Sequence, residues 1–205
     1  MHNKSKQVDV LKRGSALLHH TLKRHCLRRY AVLKVNPVKR REVKDVHENS
    51  VLEGFKSLSE LSGNIVEILN KPEPPDAVIT INGKKSWIEI TDAFITPEHA
   101  RSLTSKVSED KEWIKSTQGL INLDDFNETL KGVIKEKYDK DSIQRVYRER
   151  GSGILIVGCF SPFHYPIQEN LEEIISTIKD IYSSNEQVFN EIYLYDYDYK
   201  PVKVI

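Results

Sequence analysis

The Asn82-Gly83 pair restricts the fold most, because it stands between two segments rich in β-branched and aromatic residues, "AVITI" and "SWIEI". An Asn-Gly dipeptide favours a type I′ turn, which needs positive φ at both central positions and joins two antiparallel strands. With a two-residue loop, Ile81 faces Lys84, and each later pair is one residue further from the turn on both strands. The sequence therefore predicts a β-hairpin over residues 77–90.

Two carboxylates occupy unusual places in this hairpin. Asp76 stands at the start of the first strand, and Glu89 lies between two isoleucines of the second. The predicted register places Asp76 opposite Glu89, with Cβ atoms about 4.5–5.5 Å apart, where like charges repel. A cation would relieve the repulsion, and Mg²⁺ (or Mn²⁺) prefers such hard oxygen ligands. Alternatively, Trp87, Glu89 and Thr91 form the solvent-facing side of an amphipathic strand.

Apolar spacing, glycines and prolines predict the other elements. They are, in chain order, a helix over 48–69, a helix near 98–115, a helix from Asp124 or Asp125 that extends to Tyr138 or on to Tyr147, a strand over 153–160, a helix over 166–182 and a strand over 190–199. The continuously apolar segment "GILIVGCF" is typical of a strand buried on both faces. This order predicts an α/β sandwich with a mixed central sheet flanked by helices.

The charge is distributed unevenly along the chain. Residues 1–44 hold 13 of the 31 Lys and Arg residues and two of the 30 Asp and Glu residues, so they carry +11 and the remainder −10. A basic segment on an acidic domain is typical of a nucleic-acid partner. We expect a basic N-terminal helical or flexible extension over 1–44 and one folded domain over 45–205. The extension also resembles a mitochondrial presequence in composition, and a solvated tail is a third interpretation.

Chain length and cysteine content limit the class of protein further. A chain of 205 residues suits one core. No apolar run approaches the roughly 18 residues that span a membrane, so we expect no membrane association. The two cysteines, Cys26 and Cys159, form no Cys-x-x-Cys motif, which favours a reducing, cytoplasmic setting. We expect Cys159 to be a core residue.

The hairpin and its two acidic residues resemble the motif of the PD-(D/E)xK nuclease superfamily, which has a restriction-endonuclease-like fold. Pro75-Asp76 and Glu89-Ile90-Thr91 match the motif, and the predicted order of elements agrees over roughly 48–196. The resemblance implies a metal-dependent nuclease that hydrolyses phosphodiester bonds, with DNA as the favoured substrate. Asp76, Glu89 and the backbone carbonyl of Ile90 would then hold the metal ion.

Position 91 departs from this family pattern. The family usually has a lysine there, which positions or deprotonates the attacking water, whereas Thr91 can donate a hydrogen bond but carries no charge. Related families sometimes supply the cation from the helix after the hairpin, where Lys135 and Lys137 are the substitutes, with Lys137 favoured. The alternative is a catalytically degenerate module that binds nucleic acid or a protein partner without cleaving.

The helix before the hairpin often adds an acidic residue to this family's site. At 100° per residue, Glu48 points with the apolar stripe of the predicted helix, whereas Glu53, Glu60 and Glu67 point away from it. Glu48 is therefore the candidate for this role. Its other interpretation is an ordinary carboxylate near a helix N-terminus, where the helix dipole favours negative charge.

A run of alternating tyrosines lies near the C-terminus. Its members are Tyr193, Tyr195, Tyr197 and Tyr199. On a strand these side chains would share one face, which could form a homodimer contact or stack on nucleobases. The other interpretation is the half-exposed face of an edge strand.

Overall fold

The computed structural model describes residues 40–94, 100, 123–160, 167, 171–185 and 187–205. The described elements are α1 (Arg40–Leu61), β1 (Val66–Asn70), β2 (Ala77–Ile81), β3 (Lys84–Phe94), α2 (Leu123–Asp139), α3 (Asp141–Arg150), β4 (Gly153–Phe160), α4 (Leu171–Ser184), β5 (Phe189–Tyr195) and β6 (Val202–Lys203). The six strands form one sheet in the order β1-β2-β3-β4-β5-β6. The β3-β4 and β4-β5 pairs are parallel and the others antiparallel. The chain is therefore α/β with a mixed, open sheet.

The hairpin has the predicted turn and register. Strands β2 and β3 pair from Ile81↔Lys84 to Ala77↔Ile88. Asn82 has φ 51° and Gly83 has φ 80°, as a type I′ turn requires. Strand β3 then continues beyond the end of this ladder and pairs in parallel with β4 as far as Phe94. The predicted hairpin is confirmed, and the last six residues of β3 lie past the start of β2.

The two faces of the sheet pack against different helices. On one face, Trp87 and alternate residues of β4 and β5 pack with α2, α3 and α4. On the other face, Ile88 and Ile90 pack with the apolar stripe of α1. Every residue of β4 is buried, as predicted for that segment. Trp87 and Glu89 are buried too, so the interpretation of their face as solvent-exposed is wrong.

The predicted helix over 48–69 is wrong beyond Leu61, where α1 ends. Its last turns were predicted from Ile65 and Leu69, which keep the helical spacing but are exposed. The Ser-Gly-Asn sequence after Leu61 favours a turn, and β1 follows it. Strand β1 is ordered by its backbone ladder to β2. That pairing is a tertiary effect which helical spacing does not reveal.

The predicted strand over 190–199 ends early, at Tyr195. Asp196 begins a turn in which its Oδ1 accepts a hydrogen bond from the backbone N–H of Asp198 at 3.0 Å. Tyr193 and Tyr195 are buried, whereas Tyr197 is exposed. Strand β5 also lies between β4 and β6. The interpretation of the four tyrosines as the half-exposed face of an edge strand is therefore wrong.

The remaining predicted elements agree in kind with the structure or lie outside it. The helix predicted from Asp124 or Asp125 is α2, and a break at Lys140 separates it from α3. The helix predicted over 166–182 is α4, and Cys159 is buried in the core. The helix predicted near 98–115 and residues 1–39 of the basic extension lie outside the described residues.

The predicted domain boundary after residue 44 falls within α1, since that helix begins at Arg40.

Among the described helices, none combines the length and the apolar character that crossing a bilayer would require.

Candidate metal centre

Asp76 lies immediately before β2, at the point where the ladder to β3 has ended. Its carboxylate is buried, and Oδ2 accepts a hydrogen bond of 2.7 Å from the backbone N–H of Ile90. The Asp76 carboxylate thus accepts the hydrogen bond that the backbone carbonyl of a further β2 residue would accept. Because the N–H and C=O of a strand residue point to the same side, the Ile90 carbonyl is directed toward this open side of β3 as well.

Glu89 is only 3% exposed and lies on the opposite face of β3 from Ile90. Its Oε1 accepts an ion-paired hydrogen bond of 2.6 Å from Nζ of Lys137, which reaches over from α2. Its Oε2 is buried without a hydrogen-bond partner among the described residues. Burial, and then the charge of Asp76, raise the pKa of Glu89. An unsatisfied buried oxygen costs about 1–3 kcal/mol, so this carboxylate is unfavourably placed without a further ligand.

Helix α1 and the proline-rich segment before β2 add two more carboxylates. Glu48, Glu73 and Asp76 each offer an oxygen, and these oxygens all lie within 4.8 Å of one another. Burial, and then the charge of Asp76, raise the pKa of Glu48. Lys44 pairs with Glu73 and lies 3.3 Å from Glu48, but its side chain is 52% exposed. An exposed pair of this kind stabilises little, so Lys44 only partly offsets the repulsion.

The balance of charge around Asp76 and Glu89 favours a divalent cation. Asp76 clusters with the carboxylates of Glu48 and Glu73 and interacts electrostatically with that of Glu89, whereas Lys44, Lys137 and Lys140 supply positive charge, which leaves one negative charge in excess when all are ionised. The donors are oxygens, which suit Mg²⁺ or Mn²⁺ better than metals that prefer thiolate or imidazole. The unpartnered Glu89 Oε2 offers one further ligand atom. The residues therefore fit a hard divalent ion.

The structure brings together most of the residues that the sequence predicted for the site. Asp76 interacts electrostatically with Glu48 and with Glu89, and Lys137 pairs with Glu89. Thr91 is half-buried, two residues beyond Glu89 and on the same face of β3. Lys135 is exposed on α2 and makes no ion pair with the described carboxylates.

Sequence reasoning missed Glu73 and a second group of polar residues. Glu73 precedes Asp76 in "KPEPPD", and a search of that segment for further acids would have found it. The second group contains His47, the neighbour of Glu48, and Asp92, the neighbour of Thr91. Their contact spans more than forty residues of sequence, and no pattern in the chain indicates it.

This second group, the His47 network, consists of His47, Asp92, Tyr195 and Tyr199. Nε2 of His47 lies 3.0 Å from Oδ2 of Asp92 and 3.0 Å from the Tyr195 hydroxyl. That hydroxyl donates to Oδ1 of Asp92 at 2.5 Å, and Nδ1 of His47 lies 3.3 Å from the Tyr199 hydroxyl. Burial lowers the pKa of His47, but the hydrogen bond and charge of Asp92 outweigh it and raise the pKa. Burial, followed by Asp92, raises the pKa of Tyr195 well above 10.

Comparison of the chain with known protein families, with curated proteins and with solved structures gives no match in any of the three. The function is therefore inferred from the residues of the site and their geometry.

Proposed function

We propose that the protein is a metal-dependent nuclease that hydrolyses phosphodiester bonds of DNA. The observation that carries this proposal is Oε2 of Glu89, which is buried without a hydrogen-bond partner in the described part of the chain and feels the charge of Asp76. Native proteins rarely leave such an atom unsatisfied, and a bound cation is one of the few groups that satisfies it.

The order of the elements supports the same assignment. We assign the α/β sandwich to the restriction-endonuclease-like fold, in which a helix precedes the hairpin that carries the acidic motif. Here α1 precedes β2 and β3, and the later described elements include the succession helix, strand, helix and strand, whereas β1, the second helix of the α2–α3 pair and β6 are additional to that order. The candidate site lies where β3 extends past the start of β2.

Five groups at the site are proposed metal ligands. Asp76, Glu89 and the Ile90 carbonyl would hold Mg²⁺ or Mn²⁺, with Glu48 and Glu73 as outer or second-site ligands. When bound, the ion polarises the phosphate and lowers the pKa of a coordinated water. The protein contributes a rigid strand, a buried setting that strengthens electrostatic interactions, and an excess of negative charge that selects a cation.

Lys137 supplies the positive charge that Thr91 lacks. Its ammonium group is already at Glu89, held there by an ion pair that leaves the side chain 15% exposed. A cation beside the scissile phosphate stabilises the negative charge that develops in the transition state. Thr91 contributes a hydroxyl that can donate a hydrogen bond to a phosphate oxygen or to water.

The basic segment over 1–44 supplies affinity for the nucleic-acid backbone. Its 13 Lys and Arg residues would neutralise phosphates and release counterions, which gives tight binding at low salt without sequence preference. DNA affinity should therefore fall steeply as the salt concentration rises.

A plasmid cleavage assay with Mg²⁺ tests the proposal. Wild-type protein should nick or linearise the plasmid, and Asp76→Ala and Glu89→Ala should not, because each removes a ligand. Glu53→Ala is the matched control, since Glu53 is an exposed glutamate of α1 that points away from the sheet. Equal cleavage by all four proteins would overturn the assignment and indicate a contaminating nuclease.

Thr91 favours a second candidate function, a nuclease-fold module that binds nucleic acid without cutting it. Such a module would bind DNA in EDTA as tightly as in Mg²⁺ and would show no turnover. A gel-shift titration under both conditions, run beside the cleavage assay, distinguishes the two functions.

A further inference from the structure

Glu48 is held in an unfavourable place. It is buried, and it lies close to the carboxylates of Glu73 and Asp76, which repel it. Its cationic partner, Lys44, is half-exposed and is shared with Glu73. A shared, exposed lysine holds a carboxylate weakly. The apolar stripe of α1 packs on the sheet, and a polar contact beside Glu48 fixes this part of the helix further.

The residue beside Glu48 makes that contact. Consecutive residues of a helix point about 100° apart, so His47 and Glu48 reach down on different sides of α1. Glu48 reaches toward Asp76 at the β2 side of β3, whereas His47 reaches toward Asp92 and Tyr195. Both ring nitrogens of His47 lie within hydrogen-bond distance of oxygens from β3 and the C-terminal segment.

The sheet is shaped to receive this contact. A Cβ atom at Gly158 of β4 would overlap the Asp92 carboxylate and the rings of Phe160 and Tyr195. The side chain of Asp92 thus occupies space that any other residue at 158 would fill. Tyr195 is fully buried, and its hydroxyl donates to Asp92 while lying next to His47. The three side chains form a closed hydrogen-bonded group that joins α1, β3 and β5.

We infer that Asp92 and Tyr195 are positioning residues which, through His47, hold the third turn of α1 in the place that brings Glu48 to the metal centre. This inference rests on the proposed function, because it assumes that the acidic residues bind a divalent ion. Substituting a group bonded directly to a metal ligand commonly changes metal affinity by about 10- to 100-fold, and since Asp92 and Tyr195 act one residue further away, we expect the lower end of that range.

Mg²⁺ binding, measured by isothermal titration calorimetry on the full chain, tests the inference. Asp92→Asn and Tyr195→Phe should each weaken binding by about tenfold. Tyr193→Phe is the matched control, because it removes one tyrosine hydroxyl from the same strand, and that hydroxyl donates to Glu191, outside the network. It should bind Mg²⁺ like the wild type.

Double variants show whether the effect passes through Glu48. Once Glu48→Gln has removed the ligand, adding Tyr195→Phe should weaken Mg²⁺ binding by less than about twofold, since residues that act through one another are not additive. A further tenfold loss in the double variant would overturn the inference. The inference would also be overturned if Asp92→Asn and Tyr195→Phe melted at a lower temperature but bound Mg²⁺ as tightly as Tyr193→Phe.

The same titrations separate the inference from the proposed function. If Asp76→Ala abolishes Mg²⁺ binding while Asp92→Asn and Tyr195→Phe leave it unchanged, the metal site stands and the positioning role is wrong. If the wild type does not bind Mg²⁺, both proposals fail. Should Asp92→Asn not fold, Tyr195→Phe, which removes a single oxygen, makes the same test.

Discussion

Glu89 and Asp92 lie three residues apart on β3, and their carboxylates have opposite surroundings. Both oxygens of Asp92 are hydrogen-bonded, one by the Tyr195 hydroxyl and the other by His47. Glu89 has one oxygen paired with Lys137 and a second one buried without a hydrogen-bond partner among the described residues. The Asp92 carboxylate therefore has hydrogen-bond partners for both oxygens, whereas the Glu89 carboxylate has a partner for only one among the described residues.

This difference separates a structural carboxylate from one that can bind a ligand. The satisfied, half-buried network around Asp92 makes the local structure rigid and specific, whereas the unsatisfied, fully buried oxygen of Glu89 is costly. Unsatisfied buried polar groups of this kind are expected mainly at functional sites. The comparison therefore predicts that substitutions at Asp92 act on stability and on Mg²⁺ affinity, whereas substitutions at Glu89 act mainly on the chemical step.

The largest expected effect is on catalysis. With saturating Mg²⁺, Glu89→Gln should slow plasmid cleavage by at least about 100-fold, because an amide does not replace an anionic ligand. Asp92→Asn should lose at most about tenfold, because a high Mg²⁺ concentration compensates for weaker binding. Initial rates of supercoiled plasmid loss measure both. Equal losses in the two variants would remove the distinction between the carboxylates.

The next effect concerns the partner of Glu89. Lys137→Met should reduce cleavage by about 100-fold, because it removes the cation nearest the proposed phosphate position. Lys135→Met is the control, since this exposed lysine is on the same helix two residues away, and its rate should equal that of the wild type. Circular dichroism checks that both variants fold. An unchanged rate in Lys137→Met would mean that the cation comes from elsewhere.

A third prediction concerns the space that Asp92 occupies. Gly158→Ala should lower the free energy of unfolding by about 1–3 kcal/mol, because the new methyl group overlaps the Asp92 carboxylate. Gly132→Ala on α2 has open space around its Cβ and should raise stability by about 0.5–1 kcal/mol. Urea unfolding curves measure both changes. A stable Gly158→Ala protein would contradict the tight fit.

The smallest effect is on the pH dependence of stability without metal. The pKa of Glu89 is raised in the folded protein from its usual 4.5, so the folded state favours the protonated acid. The stability contributed by this group is complete below pH 4.5 and is lost as the pH rises through the folded pKa. Glutamine mimics the protonated form, so the stability of Glu89→Gln relative to wild type should increase with pH.

Thermal melts in EDTA at several pH values measure that difference. Added Mg²⁺ should raise the melting temperature of the wild type more at pH 8 than at pH 5, because protons compete with the metal for Glu89 and Glu48. A flat difference between wild type and Glu89→Gln would contradict the raised pKa.

Local patterns predicted the parts of the fold that local chemistry controls. The Asn82-Gly83 turn set the hairpin and its register, since positive φ at two residues leaves few ways to connect two strands. Helical phase placed Glu48 on the buried face of α1, and the apolar run of β4 indicated burial on both faces. The same reasoning failed at Ile65 and Leu69, where helical spacing continued by coincidence into a strand.

The sequence alone determined that Asp76 and Glu89 are neighbours across a hairpin, because the turn and the two-residue period of a strand are properties of adjacent residues. Only the tertiary structure decided that Lys137 rather than Lys135 reaches Glu89, and that His47 and Tyr195 meet at Asp92. Lys137 and Glu89 are 48 positions apart in the sequence, and Tyr195 and Asp92 are 103 positions apart. His47 of α1 likewise contacts residues of β3 and β5. They depend on how helices pack against a twisted sheet, which short-range patterns do not specify.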